Sequence, residues 1–261
     1  MRQVTGRRRA LWFVIFWAAV GVGSYVLGVR NELGQRAEDS ALDAANFTTS
    51  PPPPLNLVSI PSVAVALLVV GVIALAVHGI RRAVVVTVVP ALAIVASQLL
   101  KQQLLTRPAL FELDLPNTFP SGHITVFTVL TAALIWAVPA RGRAIVTLGC
   151  AALLGAAGWQ LLAFGWHRPS DVFGGVALGA VAFSLACLIK PVTVSGSAVL
   201  GRTVSVGVAM VGWILLGGAG VLALAAWAGN SPALMLSAGE FGSLGVSALA
   251  SRTLLLLSTP R

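Results

Sequence analysis

Seven long apolar runs, separated by short segments that hold most of the charge, constrain this chain more than any other feature. They fall at residues 10–29, 57–78, 83–100, 123–138, 144–164, 172–189 and 204–228. About 20 mostly apolar residues suffice for a helix to cross a bilayer. A backbone in hydrocarbon must satisfy its own polar groups, which favours helices. Only 10% of the 261 residues are charged, and the mean hydropathy is +0.92, whereas soluble domains carry about 25% charged residues. The expected fold is all-α: a polytopic membrane helix bundle, one integral membrane domain over residues 1–261. Glu240, Arg252 and several glycines interrupt residues 231–257, which read as an amphipathic or partly re-entrant tail rather than an eighth span.

The first run follows Arg7, Arg8 and Arg9 and lacks a small-x-small cleavage pattern, so it reads as a retained anchor. Residues 31–54 read as a polar extracytoplasmic loop ending in Pro51–Pro54, a run that favours extended polyproline backbone. Gly175 and Gly179 form a small-xxx-small pair suited to close helix packing. Cys150 and Cys187 lie inside apolar runs and read as small hydrophobes, not a disulfide framework. The net charge of +9 does not indicate nucleic acid, because the cations sit at the ends of apolar runs instead of on one soluble surface.

Charge sets the expected orientation. With the amino terminus inside, alternate segments place Arg2, Arg7, Arg8, Arg9, Arg81, Arg82, Arg141, Arg143, Lys190 and Arg202 on the inner side with no acid among them. All eight acids fall outside if the tail also lies outside. This asymmetry of Lys and Arg is the positive-inside pattern, and it places the chain as multi-pass in the plasma membrane.

Three outer segments carry polar residues that topology does not require: Lys101–Pro108, Pro120–His123 and His167–Asp171. Ionisable groups at membrane depth are costly and usually functional. Residues 117–122 read as a loop entering a helix near His123, and the amides and dipole of a helix start attract anions. Gly122 permits close backbone approach and Ser121 adds a hydroxyl, while Lys101 and Arg107 add positive charge, Arg being suited to a two-point grip on phosphate. His167 and Asp171 stand four apart at a helix start marked by Pro169. A carboxylate on one imidazole nitrogen leaves the other as a nucleophile or base, with His123 available as general acid. Singly, each residue has an ordinary explanation: an interfacial anchor, or an acid favoured by a helix dipole. His78, beside Arg81 and Arg82, reads as interfacial. Only in combination do the three segments point to an oxyanion site.

The ordered blocks Lys-x5-Arg-Pro, Pro-Ser-Gly-His and His-x-x-x-Asp resemble those of the type-2 phosphatidic acid phosphatase superfamily, across residues 57–190. Phe119, Gly174 and Gly175 beside them are also typical. The resemblance implies a six-helix phosphatase core, here with one additional helix and a short tail. It implies His167 as a nucleophile forming a phosphohistidine, Asp171 orienting it, and His123 protonating the leaving alcohol and then activating water. Lys101, Arg107, Ser121 and the Gly122 amide would hold the phosphate oxygens, with no metal and no cofactor. The family has six residues between Lys and Arg, and here there are five, residues 102–106. The family's third block opens with Ser-Arg, and Gln160 and Leu161 stand there instead. Arg168 is the nearest cation in sequence to fill that gap.

The expected function is hydrolysis of a lipid phosphate monoester or a polyprenyl diphosphate at the extracytoplasmic face. Its expected partners are that substrate and membrane lipids, with no nucleic acid, and the oligomeric state is open. A non-catalytic lipid-phosphate binder that has lost one Arg is the alternative. A transporter is disfavoured because the polar residues lie at one interface instead of mid-membrane.

Overall fold

The structure, a computed structural model, describes residues 2–110, 116–189 and 198–258. Lys190, Glu112 and Asp114, three of the residues used to orient the chain, lie outside them. The described residues form helices and no strand. In chain order these are α1 (Arg2–Ser24, continued by a π-turn Tyr25–Val29), α2 (Glu32–Asp43), α3 (Ile60–His78), α4 (Ile80–Leu99, continued by a π-turn Leu100–Leu104), α5 (Gly122–Ala137), α6 (Arg143–Ala163), α7 (Pro169–Ile189), α8 (Ala198–Gly229) and α9 (Pro232–Ser258). Seven of them are long and apolar enough to cross a membrane, and the fold is a polytopic all-α bundle.

Short polar signals set the helix starts. Ser59 and Ser62 exchange side-chain and backbone hydrogen bonds in a capping box ahead of α3. Ser121 caps α5 through the Ile124 amide at 3.4 Å. α5 fills the apolar run expected at 123–138, but its 16 residues rise only about 24 Å, short of the roughly 30 Å hydrocarbon core. It is instead the enclosed centre of the bundle, touching α3, α4, α6, α7 and α9, with most of its side chains buried. The outer faces of α3 and α8 carry exposed large apolar residues such as Leu68, Val72, Trp213 and Ile214, as a lipid-facing surface requires.

Two expectations are corrected. Residues 31–54 are not simply a loop, because they contain α2. Asn31 caps this helix by accepting from the Leu33 and Gly34 amides, and Gln35, Glu38 and Ala41 are buried along one side. The 231–257 segment is not a re-entrant tail, because α9 is one continuous helix of 27 residues. Its glycines are seats for neighbours: a Cβ at Gly242 would fall 2.8 Å from the Phe173 ring, and one at Gly245 2.8 Å from Leu216. α9 therefore packs against α6, α7 and α8. It also returns to the opposite end of the bundle, where Arg143 donates to the Ser258 carbonyl.

The two ends differ. At one end Arg82 lies over the Trp136 ring at 5.2 Å, and His78 meets the Val138 carbonyl at 3.2 Å, beside Arg143. At the other end the segment after α1 covers the helix termini. Asn46 N–H donates to the Ala163 carbonyl at 2.8 Å, Trp166 Nε1 to Thr48 at 2.7 Å, and Gln35 to Pro108 at 2.8 Å. The three polar blocks meet at this second end.

Candidate active site

Asp171 is the anchor of the site. It lies in the first turn of α7 and is fully buried. Its Oδ2 accepts three hydrogen bonds: from Thr118 Oγ1 at 2.6 Å, from the Arg168 amide at 3.2 Å, and from His167 Nδ1 at 3.2 Å. An Nδ1–H donated to the carboxylate fixes the tautomer and leaves the lone pair on Nε2. The turn that delivers His167 depends on Gly165, whose φ of +68° suits glycine and whose missing side chain makes room for the Phe47 ring.

The Pro-Ser-Gly-His block is tied to the same carboxylate-bearing turn. The Ser121 amide donates to the Asp171 carbonyl at 3.0 Å. Gly175 lets α7 approach α5, since a Cβ there would fall 2.4 Å from Ile124 Cγ2 and 2.7 Å from the Ser121 carbonyl. His123 is thereby held with its ring 6.1 Å from that of His167, centre to centre, and edge-on to Trp166 at 5.5 Å. Ser121 is buried, and its Oγ and carbonyl meet the Ile124 and Thr125 amides. The amides of Gly122 and His123, at the first helical positions, are the ones a helix start leaves for other acceptors.

Lys101 arrives on the π-turn after α4, its carbonyl accepting from the Asn117 side chain at 3.1 Å. It stands within electrostatic reach of Asp171 and His123. Arg107 is held differently. Its side chain is only 5% exposed, and Nη2 meets Glu38 Oε2 at 3.4 Å. The other Glu38 oxygen accepts from the Ser170 amide at 2.8 Å. Burial foremost, and the nearby Asp171 carboxylate after it, push the Glu38 carboxyl above its ordinary range.

Lys101, Ser121, Gly122, His123, His167 and Asp171 thus converge, and Arg107 joins them through Glu38. Arg168 contributes its amide to Asp171, while its residue borders a small cavity with Glu38, His167 and Leu236. The two departures in the third block have structural roles. Leu161 is fully buried in the apolar core, its carbonyl accepting the Trp166 and His167 amides. Gln160 donates to the Pro53 carbonyl at 2.9 Å and accepts from Leu55 N–H, pinning the covering segment.

Sequence reading missed Glu38, Gln98, Asn117 and Thr118. Gln98 lies over Gly122, where a Cβ would fall 2.7 Å from its Nε2. Its signal was a polar residue one turn before Lys101 in an apolar run. Asn117 clamps the loop by donating to Lys101, Leu105 and Phe119 carbonyls. Asn117 and Thr118 directly precede the Phe-Pro-Ser-Gly-His stretch, whereas Glu38 had no motif to mark it.

No curated protein and no solved structure gives a significant match to this chain. The family model described as the PAP2 superfamily, whose members are generally phosphatases, matches residues 62–193, half of the sequence and all three polar blocks. With that match over the helices that carry the site, the chain belongs to the PAP2 superfamily, the type-2 phosphatidic acid phosphatases.

Proposed function

We propose that the protein is a membrane lipid phosphatase that hydrolyses a lipid phosphate monoester or a polyprenyl diphosphate through a phosphohistidine. The observation that carries this reading is the His167–Asp171 pair facing His123 across 6.1 Å at one end of a membrane bundle. His167 Nε2 attacks phosphorus and the bond to the leaving oxygen breaks, with His123 donating its proton to that oxygen. Asp171 stabilises the imidazolium form of His167 as the N–P bond forms. Water then attacks the phosphohistidine with His123 accepting its proton, and inorganic phosphate leaves. Lys101, Arg107 and the Gly122 and His123 amides meet the charge that spreads over the equatorial oxygens. The reaction needs no group beyond these residues and water.

The extracytoplasmic placement of the site is part of the same proposal, supported by the cations gathered at the opposite end. Phosphate release by purified protein from phosphatidic acid, phosphatidylglycerol phosphate and a polyprenyl diphosphate tests the reading. Release from at least one is expected, with acid-labile, base-stable label trapped on His167 by rapid quench. Binding of these lipids with no release would favour the second reading, a non-catalytic lipid-phosphate binder, which the apolar Leu161 in place of a cation motivates.

A further inference from the structure

We infer that Glu38 is a positioning residue for the phosphate site: its carboxylate ties the Arg107 guanidinium to the first turn of α7 and so sets where that cation stands relative to His167. The inference rests on the reading of Arg107 as a phosphate ligand. Glu38 belongs to α2, which lies outside the matched residues 62–193.

Three observations carry it. One carboxylate spans two site elements, with Oε2 on Arg107 Nη2 and Oε1 on the amide of Ser170, the residue next to Asp171. The bridge is locked, because Glu38 is 6% exposed and a Cβ at Gly28 would fall 2.8 Å from Oε1 and 2.6 Å from Ser170 Cβ. Among the described residues Arg107 Nη1 is buried with no hydrogen-bond partner, so the carboxylate grips one part of the guanidinium and leaves another donor for an acceptor. Two phosphate oxygens suit the guanidinium fork.

The carboxylate carries a desolvation cost where it stands. Glu38 and Ser170 edge a cavity of about 570 Å³ between α1, α8 and α9 whose lining is otherwise apolar apart from Ser24. A buried carboxylate is costly there even when paired. Its raised affinity for a proton says that Arg107 and the Ser170 amide do not fully offset that cost. A group kept at a cost to folding is expected to serve the site.

The test uses the full-length protein in lipid nanodiscs with Glu38→Ala, Glu38→Gln, Arg107→Ala and the two double variants. Gln keeps an oxygen for the Ser170 amide but offers no second acceptor to Arg107. Glu38→Ala and Glu38→Gln are expected to lower kcat about tenfold to a hundredfold, the scale of a misplaced catalytic group, with apparent KM changed much less. Glu38→Gln is expected to keep the parent Tm or exceed it, so a fold defect in the Ala variant leaves the test intact. On an Arg107→Ala background neither Glu38 variant should lower kcat further. Additive losses, an unchanged kcat, or a gain in turnover would each overturn the inference, the last by showing that the carboxylate competes with phosphate. If the parent hydrolyses none of the lipids, the phosphatase reading fails by itself. Inorganic phosphate binding then reads the same cycle: Glu38→Ala weakens it about tenfold only while Arg107 is present, and independence from Arg107 overturns the inference.

Discussion

At the scale of single residues the candidate site is organised by two buried carboxylates, Asp171 and Glu38. Asp171 presents one oxygen to three donors, so its removal does more than free a histidine. Asp171→Ala would strand Thr118 and the Arg168 amide in a buried place, at about 1–3 kcal/mol for each unsatisfied group. Asp171→Asn keeps the shape and an acceptor, so its loss should fall on kcat far more than on Tm. A comparable Asp-to-Asn change beside a catalytic histidine costs about 10⁴ in kcat. A loss under tenfold, measured as initial phosphate release, would remove Asp171 from the mechanism. Glu38 gives a prediction of opposite sign for stability. Its folded pKa lies above the ordinary 4.5, through burial first, then Asp171, against the weaker pull of Ser170 and Arg107. His167 and Arg168 share its small cavity. Such a group contributes stability that is fully present below pH 4.5 and lost as pH rises through the folded pKa. Glu38→Gln is therefore expected to raise Tm near neutral pH, with the gain vanishing as pH falls below 4.5. Thermal melts across that range check it, and a neutral-pH Tm below the parent's contradicts it.

Among the elements, α5 and α7 form the unit that makes the site, and small residues set their separation. Gly175→Ala would drive a Cβ against Ile124 and the Ser121 carbonyl, the latter a backbone atom of the Pro-Ser-Gly-His turn. Overpacking of this kind costs about 1–3 kcal/mol, and here it also shifts His123 relative to His167. Loss of both Tm and kcat is expected. Gly149→Ala on the exposed face of α6, where a Cβ meets nothing within 4 Å, should instead be neutral or stabilising. Equal behaviour of the two variants would refute the close-packing account. The element scale also shows what was legible in advance. Apolar run length marked α1, α3 and α4 through α8, and the spacing of His167 from Asp171 marked their contact. α2 was missed because it is polar on average and its buried side includes Gln35 and Glu38, so the small stripe of Leu33, Ala37 and Ala41 did not stand out. α9 was discounted because its glycines and Glu240 look like breakers in isolation, and only the neighbours show that the glycines admit Phe173, Leu216 and Pro169. The covering role of Gln160 and the core role of Leu161 depend on the phase of α6 against the bundle, which a motif comparison does not contain. That phase also decides what a substitution at position 161 does. Leu161→Arg restores the family's residue type, yet it places a charge in the apolar core cluster that also holds Leu162, Val172 and Ala177. It is expected to destabilise the protein by several kcal/mol and not to raise turnover.

For the whole molecule, the positions of α8 and α9 change the charge balance that orients the chain. With the tail left outside, Arg252 would stand among the acids. With α9 returning across the bundle, its carboxyl end meets Arg143 and Cys187, at the end that also holds Arg82. Arg252 late in α9 then joins the basic set, and Glu240 lies within a helix instead of a loop. Successive helices from α3 to α9 alternate between the end with His123, His167 and Asp171 and the end with Arg82 and Arg143, so in a membrane the two ends would face opposite sides. The positive-inside pattern favours a cytoplasmic second end, and that is the basis for proposing an extracytoplasmic reaction. Single cysteines in a Cys150→Ala, Cys187→Ala background test both statements on intact cells with an impermeant thiol reagent. Thr49 and Arg141 are exposed at opposite ends, and Gly229 is exposed just before α9. Cysteine at positions 49 and 229 is expected to label and cysteine at 141 to be protected until the cells are opened. Labelling at 141 alone would invert the protein and move its substrate to the inner leaflet. Labelling at 49 with protection at 229 would mean that α8 fails to return to the site end, and the packing of α9 against α6 and α7 would then have to be abandoned.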